Sequence, residues 1–496
     1  MAELIGARQP FIDGKFVPGE GSALAVEAPA DGSVVCEVET ASVAQTDAAI
    51  GAARRAFDTG EWAGMAPAER VAAVSRMCDH FATDIERLAA SVSAETGASP
   101  TMARRSHVEL PLAAIRGLGD IYLGMPSEEY MPNPRPLNDV VGPAGLNVSL
   151  HVYKPVGVVS AISAYNFPFY INLWKVASAL LAGCTVVLRP SPLTPLSALA
   201  FGEAADAAGL PPGVLNVVLE AGVEGSTLMT THPAVDLVSF TGSTAVGRQI
   251  MAQTAGTVKR LVLELGGKSV QLYLPDAVDL APAGVAQVFT GHAGQVCSAN
   301  TRLLVPVEAK ADVLDRCAEL AATLTVGRPT DPDTKVGPII SAAQRARCER
   351  YVADAVAAGA TLVTGGRVPP SPSSGYYFEP TLLDLPDNAN PVAQEEVFGP
   401  VVCAIGYRDL DDAVRIANDS IFGLAGSVYG ADVGQAVAVA RRIRSGTIRV
   451  NNAIGSPYAS SGGQRQSGVG REKGPLGIRE YQELQHLAIA PLARRG

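Results

Sequence analysis

The feature that most constrains this chain is a long alternation of short apolar runs and helical segments beginning at residue 156. Val156-Gly157-Val158-Val159-Ser160-Ala161-Ile162 is almost continuously apolar, as a strand buried on both faces must be. Residues 169–181 have helical spacing, 185–188 read as the next strand and 197–208 as a helix. Strands follow over 214–219 and 234–240, with a helix from about 243. Strands separated by helices pair in parallel, because the crossover returns the chain to the same end of the sheet. A second run of this kind begins after Gly267 and continues to about 465. The expected class is α/β with two parallel sheets. No period of 20–50 residues repeats, so a solenoid is excluded, and 496 residues suit two or three domains.

Elsewhere the pattern differs. Residues 9–40 read as short strands and turns. Helical spacing over 47–57 and 67–88 continues through 84–98 and stops near Gly97. A proline-rich stretch, Met131-Pro132-Asn133-Pro134-Arg135-Pro136, precedes alternating apolar residues over 145–154, the pattern of an edge strand or hairpin arm suited to an oligomer. The most apolar region, 157–188, is broken by Asn166, Pro168, Asn172 and Lys175, and reads as strand, loop and buried helix rather than a membrane span. The first eight residues lack a basic start followed by an apolar block, so no signal peptide is expected. A net charge of −10 argues against nucleic-acid or anionic-membrane partners. The seven cysteines, at 36, 78, 184, 297, 317, 348 and 403, include no C-x-x-C, and the six histidines are scattered. Neither a disulfide framework nor a metal site is expected, and a reducing, cytoplasmic compartment fits.

Four stretches carry chemistry. Gly291-His292-Ala293-Gly294-Gln295-Val296-Cys297-Ser298-Ala299-Asn300 sets one cysteine in a turn of small and polar residues. Leu261-Val262-Leu263-Glu264-Leu265-Gly266-Gly267, upstream, is a strand bearing one carboxylate and ending in two glycines. A thiol and a carboxylate brought together suggest a nucleophile and a base; a small buried hydrophobe is the plainer reading of a lone cysteine. Phe240-Thr241-Gly242-Ser243 joins a strand to a helix, where exposed N–H groups favour a phosphate, or where Ser243 is simply an N-cap. In Ala164-Tyr165-Asn166-Phe167-Pro168, the Asn166 amide is either a donor to a developing oxyanion or a turn asparagine. Arg189, ending a strand before Pro190-Ser191-Pro192, contacts a ribose or phosphate or is an exposed surface arginine.

Taken together, these stretches resemble the aldehyde dehydrogenase superfamily over nearly the whole chain. Tyr165-Asn166-Phe167-Pro168, Phe240-Thr241-Gly242-Ser243-Thr244, Leu263-Glu264-Leu265-Gly266-Gly267-Lys268 and Gly294-Gln295-Val296-Cys297 carry the likeness. Glu395-Glu396-Val397-Phe398-Gly399-Pro400, Phe422-Gly423-Leu424 and Ser467-Gly468-Val469-Gly470-Arg471-Glu472 continue it. The resemblance implies two Rossmann-like parallel-sheet domains, one cofactor-binding and one catalytic, and a small β oligomerisation arm. Residues 5–132 and 156–265 correspond to the NAD(P)-binding domain, 266–467 to the catalytic domain, and 133–155 with 480–496 to the oligomerisation element, so a homodimer or homotetramer is expected. Cys297 resembles the nucleophile, and Asn166 with the Cys297 N–H the oxyanion hole. Glu264 resembles the base that activates water, and Lys175 and Glu472 a proton relay behind it. Ala164, Tyr165, Arg189, Ser191, Gly242, Ser243, Leu265, Glu396 and Phe398 resemble contacts to NAD or NADP, with no metal. Phe167, Tyr170, Trp174, Val296, Ser298 and Ser461 resemble the substrate tunnel.

Two departures bear on specificity. Arginine stands at 189 where many members have lysine, and Pro192 replaces a glutamate that accepts from the adenosine ribose, so a 2′-phosphate is expected to be less disfavoured here. Ser461 stands where an aromatic wall is common, which should widen the tunnel mouth. None of the expected tunnel residues is charged, which favours apolar or aromatic aldehydes over semialdehydes of dicarboxylic acids. Rival readings are a CoA-acylating semialdehyde dehydrogenase, from which a base is generally missing, a cysteine esterase without cofactor, and a non-catalytic relative.

Overall fold

The structure is a computed structural model and describes residues 4–6, 8–132 and 148–490. Five strands of the first sheet run parallel, in the spatial order Arg260–Glu264, Leu237–Thr241, Val158–Ile162, Thr185–Arg189 and Leu215–Val217. Phe11–Ile12 extends one edge antiparallel, and Gly468–Val469 the other. Alternate residues of one strand enter opposite cores: Val159 and Ala161 join one cluster, Val158 and Ile162 another. Both faces are therefore covered, which is why the strands lack polar alternation.

The second sheet aligns Thr381–Asp384, Val401–Tyr407, Arg302–Pro306, Val270–Tyr273, Ala425–Tyr429 and Thr447–Val450 in parallel, with Thr361–Thr364 antiparallel at one edge. The two parallel sheets match the expected class.

A third, antiparallel sheet pairs Val148–Pro155 with Gln482–Ile489 along their full length and with Glu128–Met131. Residues 133–147 and 491–496 of the expected oligomerisation element lie outside the described residues. Glu128–Met131, on the cofactor-domain side of the expected boundary at 132, pairs with this arm instead.

Helix bounds follow local chemistry. Ser42 opens Val43–Asp58 with a capping box completed by Gln45. Gly97, at φ 72°, closes Ile85–Thr96, where the sequence predicts the stop. The helix expected to run unbroken from 67 is divided, because Asp84 leaves helical geometry between Pro67–Thr83 and Ile85–Thr96 and accepts from the Arg87 side chain at 2.6 Å. No helix among the described residues is long and apolar enough to cross a membrane.

Candidate active site

Parallel pairing brings the carboxyl ends of the five central strands to one edge, where open α/β sheets bind ligands. Ser163, Ala164 and Tyr165 follow one strand, Ser191 the next, Glu220 the third, Gly242 and Ser243 the fourth, and Leu265 to Gly267 the fifth. The Ser163 and Thr241 hydroxyls are buried here without protein partners. An orphaned buried hydroxyl costs about 1–3 kcal/mol, so this edge fits a polar ligand. At Gly242 a Cβ would lie 2.4 Å from the Phe240 ring. Ser243 is exposed, and its hydroxyl accepts from the Val246 N–H at 3.3 Å as N-cap of Thr244–Thr254. Both readings of that turn thus occupy one place. The Leu265 side chain fills the space over Gly247, and Ser191 is buried with its hydroxyl accepting from the Leu193 N–H.

Arg189 is not the exposed residue the sequence left open. It is 8% exposed, and its Nε donates to Glu220 Oε1 at 2.7 Å. Glu220 also accepts from the Gly225 and Ser226 N–H groups. The arginine charge at this edge is therefore already balanced, which the sequence did not suggest.

The turn before Cys297 is unusual backbone. His292, Ala293 and Gly294 all have positive φ, at 54°, 52° and 74°, and the first two hold a conformation that costs a non-glycine residue on the order of 1 kcal/mol each. Gln295 pins the turn: its Oε1 accepts from Ile340 N–H at 2.9 Å and its Nε2 donates to His292 O at 3.1 Å. Asn166, 4% exposed, donates from Nδ2 to Gln295 O at 2.9 Å. An amide nitrogen has two N–H groups, so this bond orients the amide and uses only one of them. The Cys297 carbonyl packs directly on Gly267, tying the thiol loop to the end of the Glu264 strand. Burial, then the charges of Glu264 and Glu396, push the thiol pKa up to about 12, and Lys473 opposes them.

Glu264 ends Arg260–Glu264 with Oε1 buried and unpartnered. Burial and then Glu472 raise its pKa to about 8, against Lys175 and Lys473. Behind it the fully buried Lys175 donates to Glu472 Oε1 at 2.6 Å and to Ser239 Oγ at 3.0 Å, and Ser239 Oγ lies 3.0 Å from the Tyr481 hydroxyl. Glu472 reaches this place because Gly468–Val469 returns to the first sheet, pairing Gly468 with Glu264.

Glu396 Oε1 accepts from Gly267 N–H at 3.0 Å, and a Cβ on Gly266 would lie 2.4 Å from its Oε2. The paired glycines therefore admit this carboxylate, whose pKa burial raises to about 7. Phe398, at φ 64°, stands edge-on to Tyr165 with ring centroids 5.8 Å apart.

Among the expected tunnel residues, Phe167, Tyr170 and Trp174 form an aromatic row, with successive centroids 6.3 Å apart. Val296 and Ser298 flank Cys297, and Ser298 is exposed. Ser461 exchanges two 2.8 Å backbone hydrogen bonds with Glu472, so it fixes the backbone that presents that residue. Sequence reasoning missed three residues here. Glu220 carried no motif. His107 stacks on Phe167 at 4.3 Å from within a π-helical turn, with both ring nitrogens unpartnered. Lys473 places its ammonium 5.0 Å from the Tyr170 ring centroid and 5.9 Å from that of Trp174. Its one sequence signal was adjacency to Glu472. No group of three or more His, Cys, Asp or Glu among the described residues could hold a metal ion.

Known proteins resemble this chain over most of its length. The model of the aldehyde dehydrogenase family matches residues 16–487. The chain is 37% identical to aldehyde dehydrogenase C of Pseudomonas syringae, a cysteine-to-alanine mutant solved with NAD+ and octanal, with a TM-score of 0.91 and 98% of each chain covered. It is 38% identical to geranial dehydrogenase of Castellaniella defragrans, over 89% of this chain and 90% of that one. It is 34% identical to betaine aldehyde dehydrogenase of Bacillus subtilis, over 96% of each.

Proposed function

The chain belongs to the aldehyde dehydrogenase family, and from that premise we propose that it oxidises an aldehyde of apolar or aromatic body to the free acid through a thioester on Cys297. It is an NAD(P)-dependent enzyme, and the bound nicotinamide supplies the hydride acceptor. The strand-end edge with its orphaned Ser163 and Thr241 hydroxyls supports that cofactor, with Glu396 and Phe398 the residues that would hold the nicotinamide end.

The Cys297 thiol first gives up its proton to solvent water; Sγ then attacks the aldehyde carbon, and the oxygen that gains the charge is held by the free Asn166 N–H and the Cys297 N–H. In other enzymes one such donor is worth about 3 kcal/mol. After oxidation the acyl group is a thioester. Glu264 then takes a proton from water, the resulting hydroxide adds to the thioester carbon, and the thiolate leaves. A base working near neutral pH needs a raised pKa, and burial with Glu472 supplies it. Lys175 and Glu472 carry the proton onward.

The observation that carries this reading is the buried, unpartnered Glu264 Oε1, whose carboxyl acts on the Cys297 thiol. A CoA-acylating enzyme has no use for that base. The test is Glu264→Gln mixed rapidly with an aldehyde and NAD or NADP. A burst of reduced nicotinamide near one equivalent per site, followed by slow turnover that CoA does not restore, is expected. Unchanged steady turnover, or wild-type rates that require CoA, would sink the reading.

The arm formed by Val148–Pro155 and Gln482–Ile489 supports a homodimer or homotetramer. The seven free cysteines, six of them buried, suit a reducing cytoplasm.

A further inference from the structure

Lys473 has no role in the chemistry above. It stands before Gly474–Arg479 at φ 66°, a conformation that few non-glycine residues hold. Its ammonium lies against the Tyr170 and Trp174 rings, at 5.0 and 5.9 Å. No carboxylate oxygen among the described residues lies within 4.0 Å of its Nζ. The adjacent Glu472 is committed to Lys175 at 2.6 Å. Lys473 is half-buried, and an ammonium partly withdrawn from water gains from a counter-charge, since ring faces return only about 1 kcal/mol.

The charge faces the reacting groups. It opposes the rise in pKa of both Cys297 and Glu264. Burial alone would depress its own pKa, but the Tyr170 phenol, Glu472 and Cys297 outweigh burial and hold it above the ordinary lysine range. Lys473 is therefore charged at neutral pH, beside the Tyr170 and Trp174 rings.

We propose that Lys473 is a specificity-determining residue that pairs with a carboxylate on the substrate, whose apolar body rests on Tyr170 and Trp174. The substrate class becomes an aldehyde bearing a second, anionic end. This rests on the aldehyde-oxidising reading and deepens it. The expectation against dicarboxylic semialdehydes assumed an uncharged tunnel, and Lys473 removes that premise.

The test compares kcat/KM within matched pairs: 4-carboxybenzaldehyde against its methyl ester, and succinic semialdehyde against butanal. The acid-to-neutral ratio is measured in the wild type, Lys473→Met and Lys473→Arg. Taking the ratio within each enzyme cancels any effect of the substitution on the thiol. A ratio of at least tenfold in the wild type, about 1.4 kcal/mol, should fall to near one in Lys473→Met and persist in Lys473→Arg. A ratio unchanged in Lys473→Met while both rates fall together would assign the lysine to the thiol and overturn the inference. Neutral aldehydes oxidised by the wild type with no preference for the acids would overturn it alone. No turnover of any aldehyde would overturn the reading beneath it.

Discussion

Gly267→Ala tests how rigidly the thiol loop is seated on the Glu264 strand. The added Cβ would lie 2.8 Å from the Cys297 carbonyl oxygen and 3.1 Å from Leu424 Cβ. Ordinary contact begins near 3.4 Å, so one or both partners must retreat by about 0.6 Å on the Cys297 side. That carbonyl belongs to Cys297, so the shift moves its thiol and N–H relative to Asn166 and Glu264. Overpacking of this kind costs about 1–3 kcal/mol, and a misplacement near 1 Å can cost about a hundredfold in rate. A loss of roughly tenfold to a hundredfold in kcat/KM is expected, with a Tm lowered by a few degrees. The assay is the near-ultraviolet absorbance of reduced nicotinamide, beside a thermal melt. Gly256→Ala serves as control, since its Cβ would meet nothing within 4 Å. Wild-type kcat/KM in Gly267→Ala would refute the claim that this contact positions the thiol.

Three further outcomes are expected. Lys175→Met strands Glu472, whose side chain is 12% exposed, and should cost about 3 kcal/mol by urea denaturation, the low end for a broken buried pair; the double variant with Glu472→Gln should recover much of it, and a stable single variant would contradict the pairing. Glu220→Gln leaves the Arg189 charge unbalanced at the ribose edge, so the ratio of kcat/KM with NADP to that with NAD should rise several-fold; no change would separate Arg189 from the cofactor, and a wild-type preference for NAD above about a hundredfold, roughly 2.7 kcal/mol, would contradict tolerance of a 2′-phosphate. Glu95 is fully buried, and burial raises its pKa to about 8 against the Leu196 and Ser197 N–H groups. Its folded pKa exceeds its unfolded value of 4.5, so its stabilising contribution is complete below about pH 4.5 and lost as pH rises through 8. The urea-midpoint difference between wild type and Glu95→Gln should therefore fall from pH 5 to 9, and a flat difference would contradict this.

Much of the molecule was legible from residue order alone. The runs at 156–162 and 185–188 are apolar without alternation because both faces of a parallel strand are covered, and that rule needs no coordinates. Cys297, Glu264 and Asn166 were legible as candidates because each lies in a short stretch that resembles a motif of the family; taken singly, the cysteine and the asparagine had plainer structural readings. Glu220 and Lys473 were not legible in the same way. A buried charge shows its meaning only through its partner, and no periodicity encodes a partner many residues away.

What the sequence by itself determined is which faces are buried, and so the two parallel sheets, the strand-end edge and the stretch that holds Cys297. Only the tertiary structure decided how distant segments meet there. Gly468–Val469 returns antiparallel beside Glu264, sets Glu472 on Lys175 across 297 positions, and leaves Lys473 facing Tyr170 and Trp174. The physical reason is that burial follows from local hydrophobic pattern, whereas charge pairing and tunnel shape depend on sheet order and loop paths.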